Sequence, residues 1–265
     1  MYLEVIVSNN NSPIGVFDSG VGGISVLREM VKIMPKERFI FFGDSANAPY
    51  GVRPVEEIKE LTFSNVKKLL EMDSKAIVVA CNTATSAAVR DLRNTYEDLP
   101  IVGIEPALKP ATHMFPEGRI AVMATPMTIK QQKFKSLMER FREDAEVIPV
   151  PCPGLMDYVE SGELEGERLE RYLRDVLCIH LGETYDGIVL GCTHYPFILK
   201  TLRKVVGDKP VIFDGAEGTA REIKRRIELI GLSATEDFEG DQVTFITTDT
   251  HPDSKIELMN MLFNV

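Results

Sequence analysis

The feature that most constrains this chain is an alternation. Short, continuous apolar runs end in small or polar residues, and segments with helical spacing lie between them. The runs are 13–17 (PIGVF), 38–43 (RFIFFG), 76–80 (AIVVA), 100–104 (PIVGI), 119–124 (RIAVMA), 146–150 (EVIPV), 186–191 (DGIVLG), 210–213 (PVIF) and 242–247 (QVTFIT). Most are rich in Val and Ile with no in-and-out alternation, which suits parallel strands covered on both faces. Helical spacing is clear for Val26, Leu27, Met30, Val31 and Ile33, and again for Leu61, Val66, Leu69 and Leu70. Alternation of this kind predicts an α/β fold with mainly parallel sheets flanked by helices.

A faint internal repeat runs through the pattern. Residues 76–83 read AIVVACNT and residues 187–193 read GIVLGCT, while IGVFDS (14–19) is echoed by IAVMAT (120–125). Two similar domains are therefore expected: residues 1–104 with 214–265, and residues 105–213. In open α/β sheets the site lies at the carboxyl ends of the strands. Two such halves facing each other put Cys81 and Cys192 on opposite walls of one cleft.

Composition excludes several classes. The chain has 265 residues and a net charge of −10, which argues against a general nucleic-acid binder. No apolar run reaches the roughly 18 residues of a spanning helix. The opening MYLEVIVSNNNSP has no cationic stretch and is broken by Glu4, so no signal peptide and a cytoplasmic address are expected. The cysteines, Cys81, Cys152, Cys178 and Cys192, form no Cys-x-x-Cys and read as free thiols; the default for each is a small buried hydrophobe.

Several strand ends carry chemistry. Asp18-Ser19-Gly20-Val21-Gly22-Gly23 opens a helix; its glycines permit close backbone approach, and a carboxylate ending an apolar strand must be solvated or paired. Asp44 to Gly51, with Pro49 and Tyr50, is a turn-rich loop at the same sheet edge, where Tyr50 is placed to meet a ligand. Cys81-Asn82-Thr83 begins a helix, whose dipole should lower the thiol pKa. Cys192-Thr193-His194, read as extended, points thiol and imidazole to one side. As a metal pair it would supply only two ligands. Thr125-Pro126-Met127-Thr128 offers hydroxyls to a carboxylate and a helix cap at once. Glu160 sits on an expected helix and is solvent-exposed by default. His113, His180 and His251 lie in helical or surface contexts.

Two facing thiols suit racemisation, which needs a base on one face of an α-carbon and an acid on the other. The α-proton of an amino acid is a very weak acid, so preorganised donors and water exclusion must stabilise the carbanion-like transition state. Asp18 and His194 would tune the flanking thiols.

The motifs GVFDSGVGG (15–23), GDSANAPYG (43–51), ACNTAT (80–85), GIEPA (103–107), ATPMT (124–128) and LGCTHYP (190–196) resemble, in order and over nearly the whole chain, the glutamate racemase family. The resemblance implies an isomerase with no cofactor and no metal. It further implies a cytoplasmic homodimer that interconverts L- and D-glutamate for peptidoglycan, with its site between two α/β domains. Carried over by motif, Cys81 would handle the α-proton of D-glutamate and Cys192 that of L-glutamate, assisted by Asp18 and His194 respectively. Ser19, Pro49, Tyr50, Gly51, Asn82, Thr83, Thr125, Thr128 and Thr193 match substrate-contacting positions, and Glu160 matches a family acid, although the GLMDY before it departs from the family pattern. No partner from nucleic acid or membrane is implied.

Three rival readings remain open on sequence. A sibling racemase would act on aspartate or a hydantoin. A dithiol switch would lose two thiols on mild oxidation. A binding or protein-inhibiting module would bind glutamate without exchanging its α-proton.

Overall fold

The computed structural model describes residues 9–179 and 182–265. The expectations for the opening segment and for His180 lie outside these residues. Strands β1 (Ile14–Asp18), β2 (Phe39–Gly43), β3 (Ala76–Val79), β4 (Ile101–Gly103) and β9 (Val243–Thr247) form one sheet, in the order β4-β3-β1-β2-β9. Strands β5 (Arg119–Ala124), β6 (Glu146–Pro151), β7 (Gly187–Leu190) and β8 (Val211–Asp214) form a second, in the order β6-β5-β7-β8. Every pairing is parallel. All nine apolar runs lie in strands of the fold, within a residue or two of their expected bounds.

The order β4-β3-β1-β2 is repeated as β8-β7-β5-β6. The strands preceding Cys81 and Cys192 thus occupy equivalent places, each hydrogen-bonded to the first strand of its sheet. The last strand, β9, returns to pair with β2.

Continuous apolar sequence becomes two-sided burial. Every residue of β1 and β3 is buried, and side chains from alternate positions enter different clusters. Val16 and Val78 pack in one cluster with Leu27 and Met30 of α1 (Ile24–Ile33). Phe17 and Val79 pack in another with Ile58, Val66 and Leu69 of α2 (Val55–Glu71) and Leu92 of α3 (Asn82–Thr95). At roughly 1.5–3 kcal/mol per buried large aliphatic side chain, these two layers hold the first sheet's strand ends in register.

The second sheet is covered by α4 (Leu108–Met114), α5 (Pro126–Lys130), α6 (Gln132–Arg140), α7 (Leu155–Glu160), α8 (Glu167–Val176) and α9 (Leu199–Val206). Helix α10 (Ala216–Leu229) packs on α1, and α11 (Pro252–Asn264) packs on β9 and α1. No helix among the described residues is long and apolar enough to cross a membrane.

Candidate active site

The carboxyl ends of β1, β3, β5 and β7 converge, and each releases a candidate side chain within two residues of the sheet. Ser19, Tyr50, Gly51, Cys81, Asn82, Thr83, Thr125, Thr128, Cys192, Thr193 and His194 line one cavity, joined by Met156 and Gly191. Its volume is about 10 Å³, room for about one water. A larger depression of about 750 Å³, lined by Arg93, Glu105, Asp214 and Arg226 among others, holds neither thiol. Of the expected positions, Pro49, Asp18 and Glu160 stand outside the lining, the last two directly behind it.

Cys81 caps α3: its sulfur accepts from the Ala84 N–H at 3.5 Å and lies 3.4 Å from the Ser19 hydroxyl. The cap position is the expected one, but the expected lowering of its pKa does not occur. Burial pushes the thiol up to about 12, and the nearby Asp18 carboxylate adds to the rise, against the Ser19 and Ala84 donors. Desolvation of a thiolate in a closed pocket outweighs the helix terminus.

On the other wall the Cys192 sulfur is 3.6 Å from His194 Nδ1. The segment is a turn rather than extended, closed by the Tyr195 N–H on the Cys192 carbonyl, and the turn itself brings thiol and ring together. The ring's far nitrogen, Nε2, is 2.8 Å from Glu160 Oε1. Burial alone would drive the imidazole toward neutrality. Hydrogen bonds to Cys192 and Glu160, and the charge they carry, reverse this and hold His194 well above its usual range.

Glu160 is correspondingly held down to about 2. Burial opposes this, but the His194 bond and charge, the Val21 N–H at 2.9 Å and Lys255 outweigh it. The default reading of Glu160 as exposed is therefore corrected: its side chain is 15% exposed, because α7 ends against the glycine loop. That loop explains itself sterically. A Cβ on Gly20 would lie 2.0 Å from Glu160 Oε1, and one on Gly22 would lie 2.4 Å from His194 Nδ1.

Asp18 is fully buried and accepts from the Gly20 N–H at 2.8 Å and the Thr193 hydroxyl at 3.0 Å. Burial raises its pKa, opposed by the charge of His194 and by these two donors. Its hydrogen bonds thus tie the first sheet's edge to the wall that carries Cys192, and its influence on Cys81 is through space.

The hydroxyls cluster as expected. Thr83 lies 3.0 Å from Thr128, and Thr125 lies 2.9 Å from Thr128 while capping α5. Asn82 is 5% exposed, and both polar atoms of its amide are buried with no hydrogen-bond partner among the described residues. An unpaired buried amide costs about 1–3 kcal/mol.

Tyr50 lines the cavity with its ring, while its hydroxyl donates to Asp44 at 2.6 Å. Asp44 also receives Asn47, Asn65 and Thr248, and Asn65 donates to the Tyr50 oxygen as well. Asn65 escaped the sequence reading. Its only trace there is a polar residue on the face of α2 shared with Ile58, Val66 and Leu69. Cys152 is buried and Cys178 half-buried, and all four cysteines are free. His113 and His251 are exposed.

The family model described as Asp/Glu/Hydantoin racemase matches residues 14–223. The chain belongs to this family. It is an isomerase of the racemase class. A glutamate racemase of Clostridium novyi is 54% identical over 215 residues, covering 81% of this chain and 83% of its own. Among solved structures, a glutamate racemase isoform of Bacillus anthracis superposes with a TM-score of 0.85 at 30% identity, covering 97% of this chain and 96% of its own. A Francisella tularensis glutamate racemase, solved in complex with D-glutamate, superposes at 0.82 with 26% identity over 97% of this chain and 95% of its own. The family match ends before α11, whose Lys255 contacts Glu160.

Proposed function

We propose that this racemase interconverts L- and D-glutamate by two-base proton transfer between Cys81 and Cys192. The observation that carries the reading is that both thiols line one small buried cavity, each on the loop after an equivalent strand. Curated relatives that are glutamate racemases support the choice of substrate.

In this mechanism one thiolate removes the α-proton while the opposite thiol donates one to the other face, and the two exchange roles for the reverse reaction. The pocket disfavours a thiolate at Cys81 because the thiol is buried and lies near Asp18. An α-ammonium entering beside Asp18 supplies the missing positive charge, so that carboxylate and thiolate are tolerated together only when substrate is bound. Asn82 and the Thr83, Thr125 and Thr128 hydroxyls hold the substrate carboxylates; Ser19, Tyr50, Gly51 and Thr193 complete the contacts, and Pro49 shapes the loop. His194, kept protonated by Glu160, donates toward Cys192. A cavity of about 10 Å³ cannot hold an amino acid, so the walls separate for entry and close to exclude water.

The domain division at 104/105 and 213/214 belongs to this reading, supported by the repeated strand order. So do a homodimer, a cytoplasmic address and supply of D-glutamate to peptidoglycan, which rest on the family resemblance. The test compares L-glutamate with L-aspartate by circular dichroism, with no cofactor added. Rapid decay of the glutamate signal alone is expected; comparable decay with aspartate would overturn the substrate.

A further inference from the structure

The wall that carries Cys192 does not end at Glu160. Oxygen Oε1 of that carboxylate is committed to His194 at 2.8 Å and the Val21 N–H at 2.9 Å. Oxygen Oε2 faces the Lys255 ammonium at 3.0 Å, which also lies 3.4 Å from the Glu160 carbonyl. Both side chains are 15% exposed, so this pair is far less screened than a surface pair. Asp249 is the other acid near the ammonium, at 3.8 Å. Lys255 rides on a helix secured at both ends: its own N–H bonds the His251 carbonyl, and Arg28 binds the Val265 carbonyl.

We propose that Lys255 is a positioning residue for the Cys192 face. It fixes the Glu160 carboxylate so that Oε1 stays on His194, and through that ring it orients the proton donor beside Cys192. Helix α11, which lies beyond the 14–223 span of the family model, thereby completes the site. The inference rests on the two-thiol reading given above.

Geometry dictates how this shows itself. Without Lys255, Oε2 loses its cation and the carboxylate is free to rotate away from His194, raising the barrier for proton transfer at Cys192. The barrier at Cys81, served by Ser19 and the Ala84 N–H, does not change. Enantiomers have equal free energy in water, so kcat/KM must fall equally in both directions. The asymmetry appears instead in the isotope effect. With α-deuterated L-glutamate the label is removed at Cys192; with the α-deuterated D-enantiomer it is removed at Cys81.

The experiment measures both isotope effects on kcat/KM for the wild type, Lys255→Met and Lys255→Arg, after confirming folding by circular dichroism. Lys255→Gln serves if the Met variant does not fold. For Lys255→Met the expected result is a fall in kcat/KM of about 10-fold. Its isotope effect should rise with the L-substrate and fall with the D-substrate, and Lys255→Arg should recover most of the rate. A fall in rate with both isotope effects unmoved makes Lys255 merely structural and overturns the proposal, as does an unchanged rate. The underlying reading fails separately, if the wild type does not racemise glutamate or if Cys192→Ser still removes the L-substrate's α-proton at the normal rate.

Discussion

The two walls of the cavity carry the same residue type on equivalent strands, yet they are built from opposite materials. Around Cys81 the sulfur's direct partners are neutral: a hydroxyl and a helix N–H. Around Cys192 a chain of ionisable groups runs outward through His194 and Glu160 to Lys255. The carboxylate that acts on Cys81, Asp18, spends its hydrogen bonds on Gly20 and on Thr193 of the opposite wall. Duplicated topology therefore fixes where a thiol stands, and local substitutions decide which groups surround it. A reversible racemase needs balanced barriers, not identical walls.

The largest effect that would break the comparison comes from the thiols themselves. Cys81→Ser and Cys192→Ser should each lower racemisation by about 10³-fold or more, whereas half-buried Cys178→Ser should leave it intact. Equal damage from Cys178→Ser would show that the cavity is not the site. Next is the charged chain. Glu160→Gln should reduce kcat/KM by about 10²-fold, because His194 loses the anion that keeps it protonated. Steady-state rates on both enantiomers check this, and an unchanged rate would mean that His194 needs no counter-ion.

A smaller and sterically sharper test is Gly20→Ala. The added methyl falls 2.0 Å from Glu160 Oε1, so it should mimic Glu160→Gln in part while leaving the Cys81 wall alone. Its isotope effects, measured on each enantiomer, report which wall has been disturbed.

Stability against pH gives the gentlest probe. Glu160 titrates near 2 in the fold against 4.5 unfolded, so its contribution is fully present above pH 4.5 and is lost as pH falls toward 2. Its ceiling is about 3 kcal/mol. His194 has the opposite sign: its folded pKa is raised, so its contribution is present below about pH 6.5 and lost as pH rises through the elevated value. Denaturant titrations of Glu160→Gln between pH 4.5 and 2 should show a flatter slope than wild type.

The sheet was largely legible in sequence because parallel strands buried on both faces must be continuously apolar. The thiols, glycines and threonines were legible because they cluster in the loops and helix starts that directly follow such strands. The burial of Glu160 and the role of Asn65 were not: both are polar residues on helices, and no local pattern says that another element will close over them. The Cys81 pKa was misread because the helix terminus is a sequence-local feature, whereas desolvation comes from side chains distant in sequence, Phe17 and Tyr50 among them. Lys255 escaped for the same reason: 95 residues separate it from its partner.

The most direct test of two thiols on two faces is α-proton exchange with L-glutamate in heavy water, followed by NMR and circular dichroism together. The account predicts that early in the reaction deuterium enters the D-product and is nearly absent from recovered L-substrate, since each face has its own proton carrier. Deuterium appearing equally in recovered substrate and product would mean that a single group serves both faces, and would contradict the account.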